Sequence, residues 1–217
     1  HDATLDPDDG IGKEKYTPFD GIVLTDTFQL GETDASEKMF SEMFPQNSER
    51  VAKQKKAPLR VILGNPPYSV GQKSGNDNAQ NQSYPKLDSK IASTYAARTS
   101  ATNKNSLYDS YIKAFRWSTD RLDPKNGGII AFITNGIWLD NNSMDGFRKD
   151  LQSEFSSIYV FNLRGAIRGR SGEAAKKERK NVFNILTGVA ISILVKNTSL
   201  LKTDTKIYYN DIGDYLT

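Results

Sequence analysis

Asn65-Pro66-Pro67-Tyr68 is the stretch of this chain whose residue types could do chemistry together. An exocyclic amine on an aromatic ring is a poor nucleophile, because its lone pair is delocalised into the ring. Accepting a hydrogen bond from each of its N–H groups draws the nitrogen toward tetrahedral geometry and frees the lone pair for an electrophilic methyl group. The Asn65 side-chain carbonyl is one such acceptor, and the Pro66 backbone carbonyl is the other. Two prolines fix φ and carry no N–H donor, so the acceptors are held rigidly. Tyr68 adds an aromatic face on which a base can stack, and a base must leave the duplex before its amine can be reached. The plainer reading of the same residues is a turn that ends a strand, since Asn-Pro and Pro-Pro are common turn dipeptides. Position favours the site: the tetrapeptide follows an apolar run and precedes a long polar loop.

Other chemistries are narrowed by composition. The only histidine is His1 and cysteine is absent, which excludes a Ser-His-Asp triad and a His/Cys zinc site. What remains is carboxylates, Lys, Tyr, backbone groups or a bound cofactor; no metal is expected. Absence of cysteine fits a cytoplasmic protein. No run of 18 apolar residues and no signal peptide is seen, so no membrane span is expected. At 217 residues and 37% hydrophobic, the chain suits one globular domain. The net charge of +3 argues for no particular partner. From Arg164 to Lys180, however, seven basic residues face two acidic ones, a local net charge of +5. Such a run is either a solvated loop or a contact to DNA phosphates, which positions a protein without reading sequence.

The elements that must hold the tetrapeptide read as α/β. Residues 21–25 are β-branched and predict a strand. A helical composition over 35–55 is stopped by Pro58. Leu59–Leu63 predicts the strand that delivers Asn65, and ligands bind at the carboxyl ends of strands in open parallel sheets. Residues 69–105 are a long polar loop with a short helix over 86–98. The helix at 106–122 has Leu107, Tyr111, Ala114, Phe115 and Leu122 on one face, with Asn105 or Ser106 as its cap. Trp117 and Trp138 read as packing residues. After a turn at 124–128, Ile129–Thr134 is continuously apolar, as in a parallel strand buried on both faces. A helix over 141–153 places Met144, Phe147 and Leu151 at helical spacing. Strands follow at 157–163 and 188–196, with a short one at 206–209. The order predicts a mostly parallel sheet with an antiparallel edge.

These residues resemble a family. Leu63-Gly64-Asn65-Pro66-Pro67-Tyr68 is similar to motif IV of the S-adenosylmethionine-dependent N6-adenine DNA methyltransferases. Residues 19–28 resemble the motif III region, and 103–111 the helix after the catalytic loop. Residues 128–136 and 158–165 are most like the methyltransferase region of type ISP restriction–modification enzymes, which carry nuclease, helicase, methyltransferase and target-recognition parts on one polypeptide. The resemblance covers roughly 16–197 and implies a partial Rossmann-like fold. It implies that Asn65, Pro66, Pro67 and Tyr68 hold a flipped adenine of double-stranded DNA. Asp26, Thr27 and Phe28 would lie near the cofactor's adenine. Val182-Phe183 with 188–191 resembles motif VIII, with Phe183 against the target base. Arg164, Arg168, Arg170 and Lys104 are the candidates for DNA contact, although capping is an alternative role for the Lys104-Asn105 pair.

The family's glycine-rich turn, with the acidic residue that binds the ribose, is not found: Asp8-Asp9-Gly10-Ile11-Gly12 follows no apolar strand. The expectation is therefore a single domain over 1–217 that lacks the N-terminal cofactor motif. Two alternatives stand beside this one. The same tetrapeptide occurs in methyltransferases acting on a protein glutamine or an rRNA guanine. The chain could also be a non-catalytic DNA-docking module of a larger helicase or restriction enzyme.

Overall fold

The computed structural model describes residues 21–32, 42–67, 83–167, 171–173, 187–200 and 204–213. The chain divides into two compact units, His1–Ala57 and Pro58–Thr217.

In the first unit, residues 21–25 form no strand. Leu24 instead pairs its backbone with the side chain of Asn47, donating N–H to Oδ1 at 2.7 Å and accepting from Nδ2 at 2.8 Å. A carboxamide has the donor and acceptor that a neighbouring strand would offer, so a β-branched run can be extended without a ladder. Helix α1 (Pro45–Lys56) buries no residue, carries Lys53, Lys55 and Lys56 in its last turn, and ends at Ala57, just before Pro58.

The second unit is built on one five-stranded sheet: β1 (Val61–Gly64), β2 (Gly128–Asn135), β3 (Ser157–Asn162), β4 (Val189–Lys196) and β5 (Lys206–Asp211), in the order β1-β2-β4-β3-β5. β1 pairs parallel with β2, and β3 with β5; β4 is antiparallel to both β2 and β3. Four strands thus run one way, as the sequence order predicts. The reversed strand is interior, not at an edge. β4 is apolar at both parities, and Ala190, Ser192 and Leu194 are fully buried, which only a strand with neighbours on both sides satisfies.

The helices pack on the face of Ile62, Ile130, Phe132, Leu194 and Ile158. They are α2 (Pro85–Ser93), α3 (Tyr95–Arg98), α4 (Ser110–Arg121) and α5 (Asp145–Glu154). Leu107, Tyr111, Ala114, Phe115 and Leu122 are all buried, as are Met144, Phe147 and Leu151. The helix expected from 106 is interrupted: a 3-10 turn over Asn105–Tyr108 precedes α4, whose N-cap is Asp109 without a side-chain bond. Neither Asn105 nor Ser106 caps α4. Trp138 is buried as expected, whereas Trp117 is half-buried.

Aromatic rings fill the layer between helices and sheet. Phe115 meets Phe132 edge-on at 5.1 Å between centroids, and Phe147 meets Trp138 at 5.5 Å and Tyr95 at 4.9 Å. Gly146 lets α5 reach α3, since a Cβ there would lie 2.1 Å from the Tyr95 carbonyl. Behind this layer Arg116, on α4, donates to Asp120 at 2.7 Å, to Asp150 at 3.3 Å and to both oxygens of Glu154 at 2.9 and 3.0 Å. Burial and the neighbouring Glu154 push the Asp150 carboxyl above its usual range, against the pull of Arg98 and Arg116.

β2 departs from the sequence reading. Its even-numbered residues are buried, but Ile129 is exposed and Ala131 and Ile133 are only half-buried. Among the described residues, the Ile129, Ala131 and Ile133 face of β2 is thus less covered than the Ile130 and Phe132 face.

Candidate active site

β1, β2 and β3 point the same way, so the segments leaving their C-terminal ends gather at one end of the sheet, where β4 begins. From β1 comes Gly64-Asn65-Pro66-Pro67. Gly64 lies against the ring of Phe132 on β2: an added Cβ would stand 3.2 Å from Cε1 and 3.5 Å from Cδ1. Pro66 is buried, while Asn65 and Pro67 are exposed. The apolar Pro66 ring therefore anchors the segment, and the polar Asn65 side chain is presented outward.

Beside it, Asn135 ends β2. Its buried side chain accepts from the Ile137 N–H at 2.9 Å and caps the 3-10 turn Gly136–Leu139. Trp138 in that turn donates Nε1–H to the Thr134 hydroxyl at 3.3 Å. Gly136 donates to the Gly188 carbonyl at 2.8 Å, which joins the end of β2 to the entry of β4.

Beyond β4, the chain leaves β3 through Arg164 and Gly165, both with left-handed φ, at 54° and 87°. For Arg164 this is a strained conformation. It is held by three bonds. The Arg164 N–H donates to the Asn162 side chain at 2.9 Å, its carbonyl accepts from Val189 at 2.9 Å, and its Nε donates to Asp211 at 2.6 Å. Burial would raise the Asp211 carboxyl, but bonds from Gly213, Arg164 and Tyr209 outweigh it and hold the carboxyl below its usual range. Asp211 stays ionised and neutralises much of the Arg164 charge.

Asn65, Pro66, Pro67 and Arg164 thus stand at the same end of one sheet. Lys104 is half-buried and donates Nζ–H to the Ala96 carbonyl at 2.7 Å. That bond ties the loop before α4 to α3. Asp26, Thr27 and Phe28 belong to the first unit. Asp26 accepts from the Phe28 N–H at 3.0 Å, a local turn bond, with Asp26 and Thr27 exposed and Phe28 half-buried. Tyr68, Arg168, Arg170 and Phe183 lie outside the described residues. Asn135, Asn162, Asp211 and Phe132 were not singled out by sequence. Only the strand register exposes them: Asn162 faces Asp211 across β3 and β5, and Phe132 faces Gly64 across β2 and β1. Among the described residues no cluster of His, Cys, Asp or Glu could hold a metal ion, and no helix is long and apolar enough to cross a membrane.

Residues 12–166 match the family described as Eco57I restriction-modification methylase, well over half of the chain. The chain belongs to this family. The methylase family assignment agrees with similar solved structures. One is a nuclease-deletion mutant of the Type ISP restriction-modification enzyme LlaGI in complex with a DNA substrate mimic, 44% identical, with a TM-score of 0.83 over 96% of this chain and 16% of that one. Another is the ATP-dependent Type ISP restriction-modification enzyme LlaBIII bound to DNA, 45% identical, with a TM-score of 0.81 over 93% of this chain and 13% of that one. A third is a DrdV–DNA complex, 39% identical, with a TM-score of 0.79 over 93% of this chain and 19% of that one. The methylase chain described here therefore spans 13–19% of the length of these proteins. No curated protein sequence matched.

Proposed function

We propose that this chain is the catalytic half of a DNA adenine-N6 methyltransferase within a larger restriction–modification polypeptide. The observation that carries the reading is Asn65, exposed directly after a parallel strand and held there by the buried Pro66, in a member of a restriction-modification methylase family. Asn65 Oδ1 and the Pro66 carbonyl accept the two N–H groups of a flipped adenine, and Tyr68 stacks on the base with Phe183 opposite. No general base is needed before transfer: the freed lone pair takes the methyl group, and the positive charge the nitrogen then carries acidifies its N–H, whose proton leaves to solvent.

S-adenosylmethionine, when bound, supplies the methyl group. Asp26, Thr27 and Phe28 fit its adenosine end: a carboxylate and a hydroxyl are exposed, and an aromatic side chain stands beside them. The glycine-rich part of the cofactor site then comes from sequence outside this chain, as do the nuclease, helicase and target-recognition parts. Phosphate contact falls to the basic segment 164–180 around Arg168 and Arg170. Arg164, paired with Asp211, holds the start of that segment, and Lys104, a further candidate for DNA contact, is bonded to the Ala96 carbonyl. The absence of cysteine fits a cytoplasmic setting.

The test uses the natural full-length protein with labelled S-adenosylmethionine and duplex DNA. Asn65→Ala should abolish methyl transfer, by more than about 100-fold, while cofactor affinity by calorimetry stays within about threefold of the parent. Transfer that survives Asn65→Ala contradicts the proposal. Cofactor binding without transfer to any DNA would favour a glutamine or rRNA guanine substrate. No cofactor binding by the full-length protein would leave the docking-module reading.

A further inference from the structure

The carboxylate of Asp211, the last residue of β5, gathers four donors. Its Oδ1 accepts from Arg164 Nε at 2.6 Å and from the Gly213 N–H at 2.7 Å. Its Oδ2 accepts from the Tyr209 hydroxyl at 3.1 Å and from Asn162 Nδ2 at 3.2 Å. Asn162 Nδ2 also donates to the Tyr209 hydroxyl at 2.9 Å, and Asn162 Oδ1 accepts from the Arg164 N–H at 2.9 Å. The parallel register sets Asn162 opposite Asp211, so the contacts close into one cluster. A lone exposed ion pair fixes little. This carboxylate is bonded on both oxygens and its side chain is only 22% exposed, and such a network holds geometry.

What the cluster holds is a strained place in the chain. Arg164 and Gly165 take left-handed φ in succession, and glycine does so freely while arginine does not. Glycine at 164 would make the same bend more easily. Arginine there is explained by its side chain, whose Nε reaches Asp211.

The bend fixes the two points where the connection between β3 and β4 leaves and rejoins the sheet. The Leu163 N–H donates to the Val189 carbonyl at 2.9 Å, and the Val189 N–H donates to the Arg164 carbonyl at 2.9 Å. Gly188 stands against Ala166, where an added Cβ would lie 3.2 Å from the Ala166 Cβ. The Gly188 carbonyl in turn accepts from the Gly136 N–H at 2.8 Å. Asp211, Arg164, Val189, Gly188 and Gly136 thus link the end of β5 to the end of β2, whose neighbour β1 delivers Asn65. Between the two fixed points the sequence carries Arg168, Arg170, Lys176, Lys177, Arg179 and Lys180.

We infer that Asp211 is a positioning residue for the DNA substrate, acting through Arg164 to hold the exit from β3 and the entry to β4 in register with the duplex. The inference rests on the reading that this chain methylates DNA and that its basic connection meets phosphates. The sign of the effect separates this role from others. A carboxylate near a phosphate backbone repels it, so removing its charge by itself strengthens DNA binding. A positioning carboxylate does the opposite. Neutralising it weakens binding even though the protein becomes more positive, because the basic groups lose their fixed base. Loss of folded protein does neither: it lowers the active fraction, and with it kcat, at an unchanged KM.

Asp211→Asn and Arg164→Lys, singly and together, would be made in the natural full-length protein. Methyl transfer to duplex DNA gives kcat and KM, and fluorescence anisotropy of the labelled duplex without cofactor gives Kd. Asp211→Asn should raise the KM and Kd for DNA about tenfold, with kcat at saturating DNA within about twofold of the parent. Arg164→Lys keeps the charge but loses the fixed Nε donor, and should do the same. The double variant should be no worse than either single one, because both break the same contact. An unchanged or tighter Kd for Asp211→Asn overturns the inference. So does a fall in kcat at unchanged KM, which is a structural role, and so do losses that add in the double variant. A parent protein that binds duplex without methylating it, with both variants binding more weakly, leaves the positioning role standing and removes the enzymatic reading. Transfer by the parent, with KM unchanged in the variants, does the reverse. A parent that binds no duplex overturns both.

Discussion

At the scale of single residues, the fit of Gly64 against Phe132 decides how Asn65 is held. A Cβ at 3.2 Å from the Phe132 ring is a tight contact that asks the ring to give by a few tenths of an ångström, and Phe115 packed edge-on against that ring resists the shift. Gly64→Ala should cost about 1–3 kcal/mol of stability by overpacking. Phe132→Leu, which removes the ring, should recover part of that loss in a double-mutant cycle read by urea unfolding. Additive losses would mean that the two residues do not press on each other. Asp145 carries a second prediction. Its carboxyl is held well below the usual range, first by the Thr99 hydroxyl and then by Ser100 and Lys149, against a desolvation penalty. A carboxylate with a depressed folded pKa stabilises above the unfolded value and loses that contribution as pH falls through the folded one. Stability should therefore decline below about pH 4, and Asp145→Asn should flatten that decline in thermal unfolding. The segment of Asn65 and its prolines after a strand could be placed from sequence because a strand followed by Asn-Pro-Pro is a local signal. The Arg164–Asp211 pair could not, because 47 residues separate its members and only the parallel register of β3 and β5 joins them.

At the scale of elements, Arg116 is the stress point of the helical layer. Its side chain is 3% exposed and Asp150 beside it 4%. Removing the cation leaves the buried Asp150 with Arg98 as its remaining ion-pair partner and takes the guanidinium from Asp120 and Glu154, so Arg116→Met should cost about 3–5 kcal/mol. Burial already pushes Asp150 upward. Without Arg116 that shift grows, so Asp150 takes up a proton more readily folded than unfolded. The loss should then be smaller at pH 5 than at pH 8, as measured by chemical denaturation; an equal loss at both would show that the charge network is not the cause. Helix faces were legible because Tyr111, Ala114 and Phe115, or Phe147 and Leu151, repeat at the helical period. The 21–25 segment was not: apolar, β-branched residues predict extension, but whether another strand or the Asn47 side chain takes the Leu24 backbone bonds is decided 23 residues away.

At the scale of the whole molecule, strand directions followed from the alternation of helices and strands, whereas the interior place of β4 did not. A hairpin-like return between β2 and β3 leaves no local signature; the full burial of Ala190, Ser192 and Leu194 on the helix-covered face does, once the sheet is seen. The continuous apolar run of β2 predicted burial on both faces, whereas Ile129 is exposed and Ala131 and Ile133 are half-buried.

The most direct test of the central claim is the identity of the methylated atom. DNA treated with the natural full-length protein and S-adenosylmethionine would be digested to nucleosides and analysed by mass spectrometry. The account predicts N6-methyldeoxyadenosine as the methylated product, absent when Asn65→Ala protein is used. Methyl groups on another base, or an unchanged yield from the Asn65→Ala protein, would contradict it.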